Sequence, residues 1–448
     1  MITTRRNILM SSLFGAGYVG LRALATGLPV GVLLKGTRAF ADGSACVDAG
    51  KAQRIILATS SNGDPLNANA PGTYGAGALA TISHNLAPTM KATPLTINGT
   101  NTTAALPWAT PAAGGVMPQT LLDKMTVWHI MTNTPVHPKE PDVLSLLDTT
   151  APKEMLPSLL ARQLAPCLGT IQNQPITLGA TSPSEGLSFG GQALPIIPPL
   201  ALKATLTNPA GPLAGVTNLQ KLRDSTLSRI DDIYRGNATP RQKSYLDSLI
   251  KSQTEIRSIN QDLLAALGSI ADNSVASQIT AAIVLLQMNV TPVVAIHIPF
   301  GGDNHNDTGL ANEALQTVSG LSSIASLISQ LGAAGLEDQV SFISLNVFGR
   351  TLGPSNTDGR QHNQNHQVSL TIGKPFRGGI VGGVGAVGSD FGALGIDSAS
   401  GAGKAGGDVK PTETLASFGK TVLGAVGVDA GYIDSAITSG TVIKGALA

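Results

Sequence analysis

Runs of β-branched and apolar residues alternate along this chain with segments of helical spacing, and this alternation constrains the fold more than any other feature. Helical spacing recurs at residues 152–164 and 310–331. The strand-like runs lie at residues 54–58, 125–133, 291–299 and 339–348, followed by the shorter run HQVSLTIG. The pattern predicts an α/β fold, a three-layer sandwich in which helices cover both faces of a mostly parallel central sheet.

Three stretches do not fit the alternation. Residues 216–288 carry successive helical patterns with no strand between them, and we interpret them as a helical insertion. Residues 66–114 are rich in Ala, Gly, Thr, Asn and Pro, which predicts a long surface excursion. Residues 378–407 are rich in glycine but lack the phosphate-binding pattern GxxxxGK[ST], so they are interpreted as a flexible Gly-rich loop.

The composition limits the classes of partner. The 448 residues are 42% hydrophobic and 13% charged, with a formal net charge of +1. This length suits one large domain or two smaller ones, and the apolar content argues against disorder. A net charge this close to zero provides no basic field for nucleic acid, so we expect no nucleic-acid partner.

The N-terminus carries the features of an export signal. Arg5 and Arg6 precede a mildly apolar, glycine-rich stretch at residues 9–34, and Ala41 ends a small-x-small cleavage pattern. A paired arginine in this position resembles the twin-arginine export signal. The stretch is long enough to be a retained membrane anchor, but its glycines and Pro29 make it a poor span. A removed signal is therefore favoured over an anchor.

Export of this kind has consequences for the rest of the chain. We expect residues 1–41 to be the signal peptide and residues 42–448 to form the folded domain, with the Tat translocase as its partner during export. The expected location is the periplasm or the cell envelope. Cys46 and Cys167 can form a disulfide in an oxidising compartment, and two unpaired thiols are the alternative.

Aspartate and histidine residues follow four of the predicted strands. Ligands of open α/β sheets gather beyond the carboxyl ends of the strands, and imidazole and carboxylate groups are common metal ligands. Simpler roles are possible for several of these residues. Asp64 can be a turn residue, and His305, His362 and His366 can be polar loop residues. His129 and His297, inside apolar strands, are interpreted as core histidines. The residues that follow the strands are Asp64, His137, Asp303, His305, His362 and His366.

Five segments resemble one known family in their order and spacing. They are SSNGDPLN, VWHIMTNTPVH, GGDNH, NVFGRT followed by QHNQNH, and KPFRGGIVGG. The chain resembles a bacterial, Tat-exported family of unknown function within the alkaline phosphatase and sulfatase superfamily. The resemblance covers the first strand, the segment around residues 129–137 and the chain from about residue 290 to the C-terminus.

The resemblance implies an alkaline-phosphatase-like fold with one or two divalent metals at the carboxyl edge of the sheet. In that superfamily the metals activate a nucleophile that attacks a phosphate or sulfate ester. Zn²⁺, Mn²⁺, Mg²⁺ or Ca²⁺ would suit such ligands. Arg350 would orient an anion, or only support its loop. The metal ligands carried over by position are Asp64, Asp303, His305, His362 and His366.

The chain also departs from that family pattern. Gln361 stands where the family has an aspartate, and Val136 stands where it has the serine that is the best nucleophile. Val347 replaces an acidic residue. Thr134 is the nearest hydroxyl, but two residues is a large displacement for an in-line attack.

Two hypotheses follow. In the first, the protein is an exported binding protein of this fold, with a degenerate metal site and little or no hydrolase activity. In the second, it is a metal-dependent hydrolase of phosphate or sulfate esters, with Thr134 or metal-activated water as nucleophile. A serine esterase is disfavoured because no GxSxG motif occurs at a strand-to-helix turn.

Overall fold

The structure is a computed structural model. The expected signal peptide, with Arg5, Arg6 and Ala41, lies outside the described residues, as do Cys46 and Asp64. Across the described part of the chain, no helix is both long and apolar enough to cross a membrane. The structure describes residues 48, 50–60, 62–63, 66–151, 153–170, 172–179, 186–206, 261–300, 302–353 and 358–448, with scattered positions between 225 and 247.

Strands and helices alternate through most of the described ranges. The strands are β1 (Arg54–Ser60), β2 (Ala92–Ile97), β3 (Thr100–Ala105), β4 (Met125–Ile130), β5 (Ile176–Thr177), β6 (Ser188–Phe189), β7 (Gln192–Ala193), β8 (Val293–His297), β9 (Val340–Asn346), β10 (Gly349–Arg350), β11 (His362–Asn363), β12 (Gln367–Ile372), β13 (Gly379–Val381), β14 (Val384–Val387) and β15 (Asp390–Ala393). The α-helices are α1 (Leu66–Asn69), α2 (Gln119–Leu122), α3 (Glu140–Leu144), α4 (Leu156–Leu168), α5 (Pro199–Leu206), α6 (Gln261–Ser269), α7 (Val275–Gln287), α8 (Ala311–Ala333), α9 (Thr414–Ala425) and α10 (Ala430–Ala436).

Seven strands form one central sheet in the order β13-β4-β12-β9-β1-β8-β5. Every neighbouring pair is parallel except the two that involve β12, which runs antiparallel to both β4 and β9. The prediction of an α/β fold with a mostly parallel central sheet is confirmed. The parallel strands therefore direct their carboxyl ends toward a single edge of the sheet, where the loops after β1, β4, β8 and β9 meet.

The central strand β1 shows why helices are needed on both faces. Ile55 and Leu57 enter one hydrophobic cluster, whereas Ile56 and Ala58 enter the other. Because successive side chains of a strand point to opposite faces, a strand that is apolar at every position must be covered twice. Helices α4 and α9 pack in the cluster that contains Ile55 and Leu57, and helices α7 and α8 pack in the cluster that contains Ile56 and Ala58. This arrangement is consistent with a three-layer sandwich.

Helix α7, which lies within the expected helical insertion, is not separate from the core. Helix α7 caps its N-terminus with the hydroxyl of Ser274, which accepts a hydrogen bond from the Ser277 amide. Its apolar side chains, including Ile279 and Leu286, are buried in the cluster that covers β8. Residues 275–287 are therefore a layer of the sandwich, although the sequence grouped them with the helical patterns that precede them.

Two further expectations differ from the structure. Residues 66–114 are a surface excursion only in part: α1 is wholly buried, and Trp108 is fully enclosed beside the β2–β3 hairpin. Residues 378–407 are not one flexible loop, because they contain β13 of the central sheet and the β14–β15 hairpin. In both stretches small residues permit close packing. A Cβ on Gly403 would lie 2.4 Å from the Gly383 nitrogen.

Candidate metal centre

Four side chains converge at the carboxyl edge of the sheet. Each offers one ligand atom, and all four atoms lie within 4.8 Å of one another. They arrive from three strand ends, because one follows β4, two follow β8 and one stands on β11 beyond β9. The group could hold a metal ion. Its members are His137, Asp303, His305 and His362.

The distances suit a small cation. His305 Nε2 lies 2.8 Å from His362 Nε2 and 3.1 Å from Asp303 Oδ1, while His137 Nε2 lies 3.6 Å from Asp303 Oδ2. Ligand atoms about 2.0–2.1 Å from a tetrahedral Zn²⁺ stand about 3.3 Å from one another. The donors thus already stand near the spacing that such an ion requires, without a rearrangement of the loops.

The ring of His362 is held in the tautomer that a metal needs. Its Nδ1 donates a hydrogen bond to the Pro135 carbonyl, which leaves a lone pair on Nε2 facing the group. Partial burial lowers the pKa of His362, the hydrogen bond to the Pro135 carbonyl opposes this, and the charge of Arg350 lowers the pKa further. The imidazole is therefore neutral at neutral pH, which is the form that binds metal.

His305 lacks this second hydrogen bond. Its Nδ1 is buried and has no hydrogen-bond partner among the residues that the structure describes. Because His362 Nε2 carries a lone pair, the 2.8 Å contact requires the proton of His305 to lie on Nε2. For a cation to bind at that nitrogen, the proton must move to Nδ1, which leaves the lone pair of Nε2 for the metal.

Backbone hydrogen bonds bring the two histidine loops together. The Arg360 amide donates to the Asn304 carbonyl at 3.0 Å, and the Asp307 amide donates to the Asp358 carbonyl at 3.0 Å. Gly359 has a φ of +130°, and a Cβ on it would lie 2.1 Å from the His305 carbonyl oxygen. The contact between the loops therefore depends on a glycine at this position.

A buried ion pair anchors the same loops to α8. The guanidinium of Arg360 donates to Glu313 at 2.6 Å, and both side chains are fully buried. Asn69 also donates to this carboxylate at 2.6 Å, and Arg360 reaches the carbonyl oxygens of Thr351 and Ser83. A buried charge pair is tolerated when its remaining hydrogen-bonding capacity is used in this way.

Arg350 approaches the group from inside the protein. It stands opposite His362 in the β10–β11 pair, and its side chain is fully buried. Its Nη2 donates to Asp303 Oδ1 at 3.2 Å and to the Gly302 carbonyl at 3.1 Å. The guanidinium therefore orients the carboxylate of Asp303, whose side chain is 50% exposed.

The apolar ring of Phe348 packs against two of the histidines. Its ring centroid lies 4.2 Å from that of His362 and 5.1 Å from that of His137. Gly63 allows this ring to sit close to the first loop, since a Cβ there would lie 2.2 Å from Phe348 Cε2. The glycine of the SSNGDPLN segment is thus explained by packing.

His366 lies apart from the four-residue group. Its Nε2 is 2.9 Å from His129 Nδ1, its Nδ1 is 3.2 Å from Asn67 Nδ2, and His129 Nε2 is 2.9 Å from the Pro71 carbonyl. Burial lowers the pKa of His129 to about 4 and that of His366 well below its usual value. The two histidines form a fully buried neutral pair.

The other residues singled out by sequence have varied positions. Gln361 is exposed, its backbone amide donates to the Thr351 hydroxyl, and its carbonyl accepts from the Thr351 amide. Thr134 is buried, and its hydroxyl has no hydrogen-bond partner among the described residues. Asp307 caps α8, since its carboxylate accepts from the amides of residues 312 and 313. Cys167 is disulfide-bonded.

No family model, curated protein or solved structure matches this chain. The family resemblance therefore stays a prediction. Sequence reasoning missed the Glu313–Arg360 pair and the packing role of Phe348. No local pattern signals the pair, because Glu313 and Arg360 stand 47 positions apart in the sequence.

Proposed function

We propose that this protein binds one divalent metal ion, with Zn²⁺ as the best fit, through His137, Asp303, His305 and His362. The observation that carries the proposal is the convergence of four donor atoms within 4.8 Å on loops from three strands. Three imidazoles and one carboxylate are a donor set that prefers Zn²⁺ over the hard cations Mg²⁺ and Ca²⁺.

The number of protein donors favours binding over catalysis. Structural zinc sites use four protein ligands, whereas catalytic sites use three and leave one position to water or substrate. Val136 precedes His137 and cannot act as a nucleophile, and the Thr134 side chain is buried. We therefore propose a binding protein with little or no hydrolase activity, which acts after export in the periplasm or the cell envelope.

One observation favours a second candidate, a metal-dependent hydrolase of phosphate or sulfate esters. Arg350 holds Asp303 Oδ1 at 3.2 Å and thereby competes with a metal for that oxygen. If the carboxylate stays with Arg350, three histidines hold the ion and one position is open. A divalent ion bound there would supply Lewis-acid activation of water.

The experiment is metal analysis of the chain purified without chelator, followed by Zn²⁺ titration of the metal-free protein. The proposal expects about one equivalent of bound metal in wild type and none in the His305→Ala, His362→Ala double variant. Equal metal content in both proteins would refute it. A His84→Ala variant is the matched control, because His84 is a half-buried histidine that hydrogen-bonds the Ala68 carbonyl outside the group.

Hydrolysis of 4-nitrophenyl phosphate and 4-nitrophenyl sulfate separates the two candidates. If the protein only binds metal, we expect no metal-dependent turnover above that of the double variant. Turnover that follows metal occupancy and disappears in the double variant would favour the hydrolase.

A further inference from the structure

The buried histidine pair has a fixed direction of hydrogen bonding. The Pro71 carbonyl can only accept, so His129 Nε2 must carry a proton. His129 is neutral, since burial lowers its pKa to about 4, and its Nδ1 is therefore an acceptor. His366 Nε2 must then donate to it, which leaves His366 Nδ1 as an acceptor.

Asn67 completes this chain of hydrogen bonds and uses its whole side-chain amide to do so. Its Nδ2 donates to the Arg350 carbonyl at 2.8 Å and to His366 Nδ1 at 3.2 Å, while its Oδ1 accepts from the Arg350 amide at 3.0 Å. Both amide protons and the carbonyl oxygen are satisfied. The opposite amide orientation would set an acceptor against the Arg350 carbonyl, so the orientation of Asn67 is determined.

The backbone beside Arg350 is shaped for this contact. A Cβ on Gly349 would lie 2.6 Å from Asn67 Nδ2 and 2.3 Å from the His366 carbonyl oxygen. A Cβ on Gly72 would likewise lie 2.4 Å from His129 Nε2, at a φ of +93°. The absence of a side chain at Gly349 and Gly72 therefore leaves room for Asn67 and His129, the two ends of this series of hydrogen bonds.

We propose that His366 positions the metal centre, without ligating the metal, by holding Asn67 against the backbone of Arg350. The inference rests on the proposed metal-binding function. Arg350 in turn holds Asp303, so the buried pair acts on the centre through the carboxylate. Both ring nitrogens of His366 are already engaged and the residue is fully buried, so it has no free lone pair for a cation.

Two substitutions test the role with Co²⁺ as the probe, since its visible spectrum reports the ligand set. His366→Gln keeps a donor for His129 and an acceptor for Asn67, whereas His366→Leu keeps neither. The glutamine variant should bind one equivalent with an unchanged spectrum and an affinity within about threefold of wild type. The leucine variant should keep the stoichiometry and the band positions but bind about ten- to a hundredfold more weakly.

A ligand role predicts a different result. Both variants would then lose one nitrogen ligand, with shifted cobalt bands and equally weakened binding. That result would overturn the inference while the proposed function stood. Failure of the wild-type protein to bind Co²⁺ and Zn²⁺ would instead overturn the proposed function.

A second measurement determines the direction of the hydrogen bonds between His129, His366 and Asn67, and it needs neither a variant nor metal. Two-bond ¹H–¹⁵N spectra of histidine-labelled wild-type protein report the tautomer of each ring. His129 and His366 should both be neutral with the proton on Nε2 at pH 7. A His366 ring that is cationic, or protonated on Nδ1, would overturn the inference even if metal binding is intact.

Discussion

Two histidine groups lie close together at one edge of the sheet and differ in almost every physical respect. His305 and His362 are partly exposed, and their Nε2 atoms face each other at 2.8 Å with Asp303 beside them. His129 and His366 are fully buried, and each ring nitrogen has one partner in a single chain of hydrogen bonds. The comparison shows that histidines four residues apart in one segment, His362 and His366, differ completely in burial and in hydrogen-bond partners.

The largest expected effect is the pH dependence of the free energy of unfolding, which tests the buried pair. His129 has a pKa of about 4 in the fold against 6.5 when unfolded, so the unfolded state binds more protons between these values. Stability should therefore be highest above pH 6.5, and His129 alone should cost about 3 kcal/mol as the pH drops to 4, with a further loss in the same direction from His366. Urea unfolding in the presence of a chelator measures this without a contribution from bound metal.

The matched control is His129→Gln, which removes one of the two titrating rings of the pair. That variant should be less stable than wild type at pH 7, but its stability should depend less on pH between 6.5 and 4. If stability falls as steeply with pH in the variant as in wild type, other groups cause the acid sensitivity, and the prediction for the buried pair is wrong.

The next effect tests the exposed group. His362→Ala removes the imidazole whose tautomer is set by the Pro135 carbonyl. Zn²⁺ affinity should fall by more than about a hundredfold, because ligand loss costs more than the ten- to hundredfold typical of outer-shell changes. Competition against a chromophoric chelator measures the change, with His84→Ala expected to match wild type. An affinity unchanged in His362→Ala would remove this residue from the ligand set.

A smaller effect tests the contact between the loops. Gly359→Ala places a methyl group 2.1 Å from the His305 carbonyl oxygen, so the two loops must separate. Zn²⁺ affinity should fall by about tenfold, equivalent to about 1.4 kcal/mol. Gly379→Ala is the matched control, since its φ of +112° carries similar backbone strain but a Cβ there would meet nothing within 4 Å. Equal losses of affinity in both variants would mean that backbone strain, and not the loop contact, is responsible.

The fold was largely predictable because its signals are local. The strands at residues 54–60, 293–297 and 340–346 are short apolar runs, and the periodicity of α8 is regular. The stretches interpreted as surface excursion or flexible loop are rich in small residues. Composition alone does not distinguish an exposed loop from a segment that packs closely through Ala and Gly, such as the neighbourhood of Gly403.

The site was predictable only in part, for a different reason. Strand ends indicated where polar residues gather, and the structure brings together three of the proposed ligands with His137. The separation of His366 from the other histidines depends on contacts with Asn67 and His129, about 300 and 237 positions away in sequence. No local pattern in the sequence indicates such partners. The family resemblance implied a metal site shared by His362 and His366, whereas the structure leaves His366 outside the four-residue group.

The smallest expected effect is that of Val136→Ser, which tests whether the exposed group lacks only a nucleophile for catalysis. Val136 is 44% exposed and stands where the resembling family has a serine, so Val136→Ser restores a hydroxyl next to His137. Stability should change by less than about 0.5 kcal/mol and Zn²⁺ affinity by less than about twofold, because the residue is neither buried nor a ligand. With four protein donors around the metal, we expect no hydrolysis of 4-nitrophenyl phosphate by the zinc-loaded variant. Turnover that appears in Val136→Ser and is absent from Val136→Ala would show instead that the centre retains the arrangement of a hydrolase and lacks only its nucleophile.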